Sequence, residues 1–507
     1  MKQGNDRGRG RCRTGSRNTP KLAQMPSKAR QLSFWQDLIF DVAEKDCPPA
    51  AGYRNGSSLN NAGSNGNYWS SSLNENNSNN AWNLNFNSGN HNTNNNNRYN
   101  GQSVRAVTVL TRTQLLADLY VAYRDARRHK RSRAYQLKFE INLEEMLCRL
   151  CDDLLNRTYR PGTSSAFIVR EPKQREVFAA EFRDRVVHHL YYNYTHCLFE
   201  RTFIQDTYSC IKGRGTHYGV GRLEKHIRQE SRNYTRKCYV LKMDIQGYFI
   251  GINRRRLLEV CLDTLEHMRC HASDRKGMTW GEVLDYDFIR YLTEVIVLYN
   301  PLSDFRFCAP RSEWEGLPRN KSLFYADADC GLPIGNLTSQ LFSNVYLNRL
   351  DQFVKRKLRC RHYGRYVDDF YVVSSDKRLL QSLLPQIDAF LKETLSLSLH
   401  ETKTRILDVD CGVEFLGQYL LPHRRYCSSR SFARIRNGLE KIRRYDVYGE
   451  SLLMSQLNSY LGILGHTRSH RLLMRLVGKH RWIFRFGCFI RGWHVFRLFR
   501  PSAGPIP

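Results

Sequence analysis

Two adjacent aspartates, Asp368 and Asp369, lie inside an otherwise apolar and aromatic run, Tyr366-Val-Asp-Asp-Phe370. Like charges packed so closely among apolar strand residues resist ionising together unless a cation offsets them. A third acid, Asp244, follows another apolar strand, Tyr239-Val-Leu-Lys-Met243. Because Mg²⁺ prefers a few carboxylates and completes its shell with water and phosphate oxygens, the three acids predict a metal site. The alternative is that Asp368 and Asp369 form an ordinary solvated hairpin turn.

Such a site is suited to nucleotidyl transfer. Two magnesium ions about 3.5–4 Å apart can activate a 3′-hydroxyl and stabilise a leaving pyrophosphate. We therefore expect two Mg²⁺ ions as cofactors, with Mn²⁺ as an alternative ion.

Each acid is predicted to lie at the end of a strand or in a turn. Residues 238–245 predict a strand ending at an acid, and residues 365–374 predict a hairpin whose turn contains the adjacent pair. The other predicted elements are helices over 113–130, 139–156, 182–200, 254–268, 279–299, 336–358 and 378–398, an irregular stretch over 300–329, hairpins around 170–175 and over 412–420, and a basic helical region over 430–500.

Composition favours a globular protein with a polyanionic partner. The 507 residues are 41% hydrophobic and carry a formal net charge of +31, which is most simply explained by nucleic acid binding. No run approaches the roughly 18 apolar residues of a membrane span, so we expect no membrane association. The 15 scattered cysteines favour reduced thiols and a cytoplasmic location. Cys148 and Cys151 form a single CxxC pair, which favours two helix positions over a zinc site.

The N-terminal part differs in amino-acid composition from the rest of the chain. Residues 1–50 are predicted to be a disordered basic tail. Residues 51–100 contain 20 asparagines, and such an Asn-rich, low-complexity segment favours turns and cannot bury much on its own.

The Tyr-Val-Asp-Asp run resembles the catalytic motif of reverse transcriptases, and the resemblance extends in order over residues 110–480. It implies an α+β right-hand polymerase fold with fingers, a palm whose antiparallel sheet carries the acids, and a helical thumb. The implied boundaries are 108–237 for the N-terminal helices and fingers, 238–420 for the palm, and 421–507 for a helical basic thumb and tail.

The resemblance also implies roles for single residues. The run from Asp244 to Phe249 resembles the first catalytic motif, 171–175 the fingers loop, 399–404 the motif whose lysine lies near the leaving group, and 412–417 the primer grip. The implied catalytic and metal-binding residues are Asp244, Asp368 and Asp369, with the backbone carbonyl of Ile245 as a further metal ligand. The implied nucleotide contacts are Lys173, Arg175, Phe249 (which excludes a 2′-hydroxyl), Gln340 and Lys403.

One segment distinguishes among reverse transcriptases. At the segment that corresponds to residues 331–340, most reverse transcriptases have Gln-Gly, and their segment ends in Ser-Pro. This chain has Ile334-Gly335 instead, and its segment ends in Ser339-Gln340. This replacement resembles the reverse transcriptases of diversity-generating retroelements, which copy an RNA template with errors opposite adenine. Ile334 can neither donate nor accept a hydrogen bond, and one lost polar contact is worth ~1–3 kcal/mol. The alternative is that Ile334 is a neutral packing variant.

The same resemblance implies a bacterial or phage system that diversifies a target gene by mutagenic retrohoming. The implied partners are template RNA, a cDNA primer, dNTPs and an oligomer of a small basic accessory protein. The Asn-rich segment, 51–107, is then interpreted as template repeat translated in frame, because such repeats are rich in AAC codons. Residues 67–76 and 101–107 resemble the variable end of a C-type-lectin-like or formylglycine-enzyme-like receptor domain, and an isolated piece of that fold is expected to lack partner strands. Whether residues 1–107 exist in the mature protein stays open, and the alternative is a genuine disordered extension.

Two other functions remain open. One is a reverse transcriptase of another bacterial class, from a group II intron, a retron or a defence system, which the Ile334-Gly335 replacement opposes. The other is a catalytically silent RNA-binding protein with a polymerase-like fold, which the intact acids oppose.

Overall fold

The computed structural model describes residues 110–128, 133–170, 173–271, 285–444 and 450–499, together with the backbone of six strands between residues 53 and 102. The chain divides into two compact units, Met1–Ala106 and Val107–Pro507. Among the described residues, no helix has both the length and the apolar character needed to cross a membrane. The predicted disordered tail, residues 1–50, lies outside the described residues.

The first unit contains two three-stranded antiparallel sheets. Their strands are β1 (Tyr53–Asn55), β2 (Ser58–Asn60), β3 (Gly66–Leu73), β4 (Asn80–Phe86), β5 (His91–Asn97) and β6 (Gly101–Gln102), in the orders β2-β1-β6 and β3-β4-β5. The prediction that this segment lacks partner strands is wrong, because its strands pair with one another. In β4 apolar Trp82, Leu84 and Phe86 alternate with asparagine, which is the two-residue period of a strand.

The second unit begins with three helices, a hairpin and a fourth helix. The helices are α1 (Arg112–Ala126), α2 (Ala134–Ile141), α3 (Leu143–Leu155) and α4 (Phe182–Thr202), and the hairpin strands are β7 (Ser164–Val169) and β8 (Arg175–Ala179). Thr111 caps α1 by accepting a hydrogen bond from the Gln114 amide. Leu119, Leu150 and Leu190 are fully buried, so the apolar faces of α1, α3 and α4 form one core.

A four-stranded antiparallel sheet lies at the centre of this unit, in the order β11-β12-β9-β13. Its strands are β9 (Tyr239–Asp244), β11 (Tyr363–Tyr366), β12 (Asp369–Ser374) and β13 (Arg405–Asp408). Around it in the chain lie α5 (Thr216–Glu230), α6 (Tyr248–Gly251), α7 (Arg254–His271), α8 (Tyr286–Leu298), β10 (Phe305–Phe307), α9 (Leu337–Gln352) and α10 (Lys377–Leu395). Strand β10 pairs with β7 in parallel.

Both faces of the central sheet are covered by apolar side chains. Met243 and Phe370 belong to the large core shared with the helices, whereas Val240 and Val373 belong to a second core that includes Val220 from α5. This two-sided burial explains why β9 and β12 are apolar along most of their length.

The C-terminal part combines a small sheet with three helices and a final hairpin. Its elements are β14 (Val413–Phe415), β15 (Gln418–Leu421), β16 (Arg424–Cys427), α11 (Ser429–Arg444), α12 (Glu450–Gly465), α13 (His470–Lys479), β17 (Gly487–Ile490) and β18 (Val495–Leu498). The prediction of helix throughout 430–500 is therefore wrong at its end. Residues 491–493 all have a positive φ, so the chain reverses there, and aromatic residues favour strands on either side.

Candidate active site

The central sheet brings two of the predicted acids face to face. Asp244 is the last residue of β9 and Asp369 is the first residue of β12, and the two are direct partners in the antiparallel pairing. Direct partners in such a pair have Cα atoms about 4.5–5.5 Å apart and share one face of the sheet. Residues more than 120 positions apart in the chain are therefore neighbours at the end of the sheet.

The third acid, Asp368, lies in the tight turn beside them. Tyr366 pairs with Asp369, so Val367 and Asp368 are the two turn residues between β11 and β12. Val367 has a φ of 57°, a left-handed conformation that is strained for a β-branched residue. The three predicted acids thus occupy one turn and the strand end next to it.

Burial and mutual repulsion shift the pKa values of the adjacent pair upward. Burial raises the pKa of Asp369 to about 6, with Lys242 opposing the shift and Asp368 and Asp244 adding to it. Burial also raises the pKa of Asp368, with the charge of Asp244 as the next contribution. The site therefore disfavours its own full negative charge, as is typical of a place that binds a cation.

Two lysines lie against the acids. Lys403 Nζ is 2.7 Å from Asp244 Oδ1, and Lys242 Nζ is 3.4 Å from Asp369 Oδ2. No group of three or more His, Cys, Asp or Glu side chains in the described part of the chain is arranged to hold a metal ion. Two of the three acids are instead paired with ammonium groups.

The chemistry of the acids nevertheless fits a divalent cation. Asp369 Oδ1 is buried and has no hydrogen-bond partner, an arrangement that costs free energy unless a further cation or donor approaches. Carboxylate oxygens are the ligands that Mg²⁺ and Mn²⁺ accept. Asp244, Asp368 and Asp369 are the residues that would hold such ions.

The predicted nucleotide contacts lie on several different elements. Lys173 is exposed just before β8 and Arg175 is exposed as its first residue, and the positive charge of Arg175 partly opposes the rise in the pKa of Asp368. Phe249 is half-buried on α6, with its ring centroid 5.3 Å from that of Tyr248. Gln340 is exposed near the start of α9. Glu171 and Pro172 of the predicted fingers loop lie outside the described residues.

The backbone after Asp244 is fixed by the segment that carries Lys403. The carbonyl of Asp244 accepts a hydrogen bond of 2.8 Å from the His400 amide, and Ile245 forms an isolated antiparallel bridge with Leu399. The structure therefore brings Asp244, Ile245 and Lys403 together.

The part of the chain that contains the three acids resembles a known protein family. Residues 173–420 match the family model described as reverse transcriptase (RNA-dependent DNA polymerase). Domains of this family are RNA-directed DNA polymerases, a class of nucleotidyltransferase that generally uses divalent metal ions, so the predicted enzyme class is confirmed. The predicted α+β right-hand polymerase fold is also confirmed.

Three individual proteins show the same kind of similarity at low identity. Protein YkfC of Escherichia coli (strain K12) is 23% identical over 309 residues, which cover 54% of this chain and 71% of that protein. The apo telomerase of Candida tropicalis, truncated from its C-terminal domain, superposes with a TM-score of 0.37 at 11% identity, covering 51% and 53% of the two chains. The telomerase of Candida albicans, in complex with a fragment of telomeric RNA, has a TM-score of 0.37 at 10% identity, covering 65% and 59%. This chain therefore spans less than two thirds of either telomerase chain.

A second family model matches the N-terminal part of the chain. Residues 34–107 match a domain of unknown function. This match starts inside the predicted basic tail and spans the predicted boundary at residue 50. It ends where the Asn-rich segment ends.

Within the matched residues 173–420, Ile334-Gly335 lies against β8. The Ile334 carbonyl accepts a hydrogen bond of 3.2 Å from the Phe178 amide. Gly335 has a φ of +124°, and a Cβ there would lie 2.8 Å from Val177 Cγ1, so the position requires glycine. The Ile334 side chain is only half-buried. It is therefore on a partly open surface rather than deep in a core.

Sequence reasoning missed the role of Glu176, the residue after Arg175 on β8. Its buried carboxylate accepts hydrogen bonds from Trp314 Nε1 (2.7 Å), Ser322 Oγ (2.8 Å) and the Leu323 amide (2.6 Å). Glu176 thus fastens the irregular stretch around 311–323 to the strand that carries Arg175. An acid inside an apolar strand was the available signal, but its partners lie about 140 residues away.

Proposed function

We propose that the protein is an RNA-directed DNA polymerase that copies a template-repeat RNA into cDNA with errors at template adenines. In this proposal it serves mutagenic retrohoming by a diversity-generating retroelement. The polymerase part rests on one observation, which is the pairing of Asp244 with Asp369 next to the turn that carries Asp368.

The chain supplies the groups that DNA synthesis requires. When bound to these three acids, two divalent ions lower the pKa of the primer 3′-hydroxyl and offset charge on the leaving pyrophosphate. Lys173 and Arg175 are exposed just before and at the start of β8, and they would bind the triphosphate. Lys403 is half-exposed on a flexible stem, so its ammonium can exchange Asp244 for a phosphate of the nucleotide.

We propose Mg²⁺ as the resident ion, with Mn²⁺ as an alternative, because both accept carboxylate and phosphate oxygens. The proposed partners are template RNA, a cDNA primer, dNTPs and an oligomer of a small basic accessory protein. The net charge of +31 supports a nucleic acid partner. A cytoplasmic location is part of the same proposal.

The retroelement class is supported by the position of Ile334. Its side chain is half-buried and its carbonyl is bonded to β8, the strand that begins with Arg175. The apolar side chain of Ile334 cannot form polar contacts with a base. Selection of the incoming nucleotide then depends on shape, which weakens discrimination between correct and incorrect base pairs.

Residues 51–107 are proposed to be template repeat translated ahead of the working enzyme, which would begin near Val104 to Leu110. This proposal rests on the 20 asparagines in residues 51–100, since template repeats are rich in AAC codons. A second candidate is a genuine N-terminal domain, and the family match over 34–107 favours it.

The test is primer extension on RNA by the full chain, purified from cells that also carry its flanking genes. We expect cDNA that requires Mg²⁺ or Mn²⁺, with misincorporation concentrated opposite template adenines. Absence of cDNA would contradict the polymerase proposal. Errors spread evenly over the four template bases would contradict the retroelement class and favour another bacterial class of reverse transcriptase.

The flanking DNA provides an independent test. A near-copy of the region encoding residues 51–107, differing mainly at adenines, is expected close to the gene. Flanking sequence without such a copy would contradict the template-repeat proposal.

A further inference from the structure

A fully buried ion pair lies directly behind the turn that carries Asp368. The side chains of Arg365 and Asp351 are both completely inaccessible to solvent. Arg365 donates from Nε to Asp351 Oδ1 (2.8 Å) and from Nη2 to Asp351 Oδ2 (2.7 Å). This two-bond geometry fixes the plane of the guanidinium, which a lysine could not do.

Asp351 is held in turn by two neutral donors. Tyr363 Oη donates to its Oδ1 (2.6 Å), and Thr207 Oγ1 donates to its Oδ2 (3.1 Å). Each carboxylate oxygen therefore accepts two hydrogen bonds, and every side-chain nitrogen of Arg365 donates at least one. A network of this kind has one well-defined arrangement.

The remaining nitrogen of Arg365 is directed at the turn. Nη1 donates to the Val367 carbonyl (3.1 Å) and to Asn344 Oδ1 (3.2 Å). Val367 is the residue with the strained φ of 57°. Strain of this kind persists only where the surroundings hold it, and the guanidinium is the group that holds this peptide.

We propose that Arg365, fixed by Asp351, is a positioning residue that keeps Val367 in its left-handed conformation and so aims Asp368 and Asp369 at the metal ions. This inference rests on the proposed function, since it assigns the pair a part in metal-dependent synthesis. If the ion pair only stabilised the fold, its loss would lower the free energy of unfolding without a specific effect on metal binding at the turn.

The first experiment compares R365K with the parent and with a matched control, R183K. Arg183 also pairs with a carboxylate, Asp153, at 2.6 Å, but it lies at the start of α4. We would measure Mn²⁺ affinity by electron paramagnetic resonance, kcat and KM for dNTP in primer extension, and the melting temperature.

R365K is expected to weaken Mn²⁺ binding about fivefold or more and to lower kcat about tenfold or more, with KM for dNTP nearly unchanged, because misaligned groups cost rate rather than nucleotide binding. R183K is expected to leave both Mn²⁺ affinity and kcat unchanged. Equal losses in R365K and R183K, or no loss in R365K, would overturn the proposal. If R365K does not fold, D351N serves in its place, with the same expectations.

The second experiment tests rescue in the double variant R365K/V367G, with V367G alone as its reference. Glycine adopts a positive φ without strain, so it removes the need for the guanidinium at this turn. We expect Mn²⁺ affinity and kcat to recover at least about threefold relative to R365K. A double variant no better than R365K would overturn the positioning role. Mn²⁺ affinity is measured without catalysis, so it tests the positioning role even if the parent protein synthesises no cDNA. Absence of cDNA synthesis by the parent would contradict only the proposed function.

Discussion

At the scale of single residues, the site is an excess of buried negative charge balanced by two lysines. Asp369 shows this most clearly, since burial raises its pKa to about 6 while Lys242 lies 3.4 Å from one oxygen and the other has no partner. The acids and Lys403 could be predicted from the sequence. Lys242, Arg365 and Asp351 could not, because their roles arise only when separate segments pair or pack.

Replacing Ile334 with glutamine should raise fidelity opposite template adenines. A restored polar contact worth about 1–3 kcal/mol would lower misincorporation there by about fivefold or more. The measurement is cDNA sequencing after primer extension on an RNA template containing all four bases. I296Q, which changes a half-buried isoleucine on α8, is the matched control and should leave the error spectrum unchanged. Equal error rates in I334Q and the parent would contradict this prediction.

At the scale of secondary structure elements, the site depends on how β9 and β12 pair. The sequence predicts both strands, since each is an apolar run ending or beginning at an acid. It does not predict α5, although Val220, Leu223 and Ile227 are buried at helical spacing. The final hairpin, β17–β18, was missed because its aromatic residues are equally compatible with the face of a helix.

The contact between Glu176 and the 311–323 stretch should matter for nucleotide binding. E176Q leaves at least one of three buried donors without an acceptor, which should lower the free energy of unfolding by about 1–3 kcal/mol. We also expect KM for dNTP to rise about threefold or more, because β8 carries Arg175. Urea unfolding and steady-state kinetics measure the two effects. E315Q, at an exposed position of the same stretch, should change neither, and a normal KM in E176Q would contradict the prediction.

The packing of α5 on the central sheet should be sensitive to acid. Burial lowers the pKa of His226 to about 4, and Arg222, His362 and Lys355 lower it further while Asp206 opposes them. Because the folded-state pKa lies below the ordinary value of 6.5, the stabilisation is present above pH 6.5 and is lost as pH falls toward 4. At pH 5 the stabilisation that has been lost amounts to about 2 kcal/mol.

Urea unfolding at pH 7.5 and pH 5.0 measures this loss. H226Q should show a smaller difference between the two pH values than the parent. H423Q, at an exposed position, should retain the parent's difference. An unchanged pH dependence in H226Q would show that His226 is not responsible.

At the scale of the whole molecule, the chain divides into two units that match different family models, the reverse transcriptase model within Val107–Pro507 and the domain of unknown function mostly within Met1–Ala106. Composition predicts that the two differ, since asparagine dominates residues 51–100. Composition could not predict the six strands, because asparagine-rich sequence conceals the short alternations that form them.

Mass spectrometry of the native protein should find an N-terminus near Val104 to Leu110. This follows from the proposal that residues 51–107 are translated template repeat. Peptides from 116–160 are the internal control for coverage. Abundant peptides containing Trp69 or Trp82 would contradict the proposal and favour a genuine N-terminal domain.

The central claim is that Asp244, Asp368 and Asp369 together carry out metal-dependent DNA synthesis on RNA. The most direct measurement is primer extension by D368A beside the parent and D263N, which alters an exposed acid on α7. The account predicts that D368A loses synthesis by at least about a thousandfold while its melting temperature and RNA binding stay near those of the parent, and that D263N synthesises normally. Extension by a folded D368A at the parent's rate would contradict it.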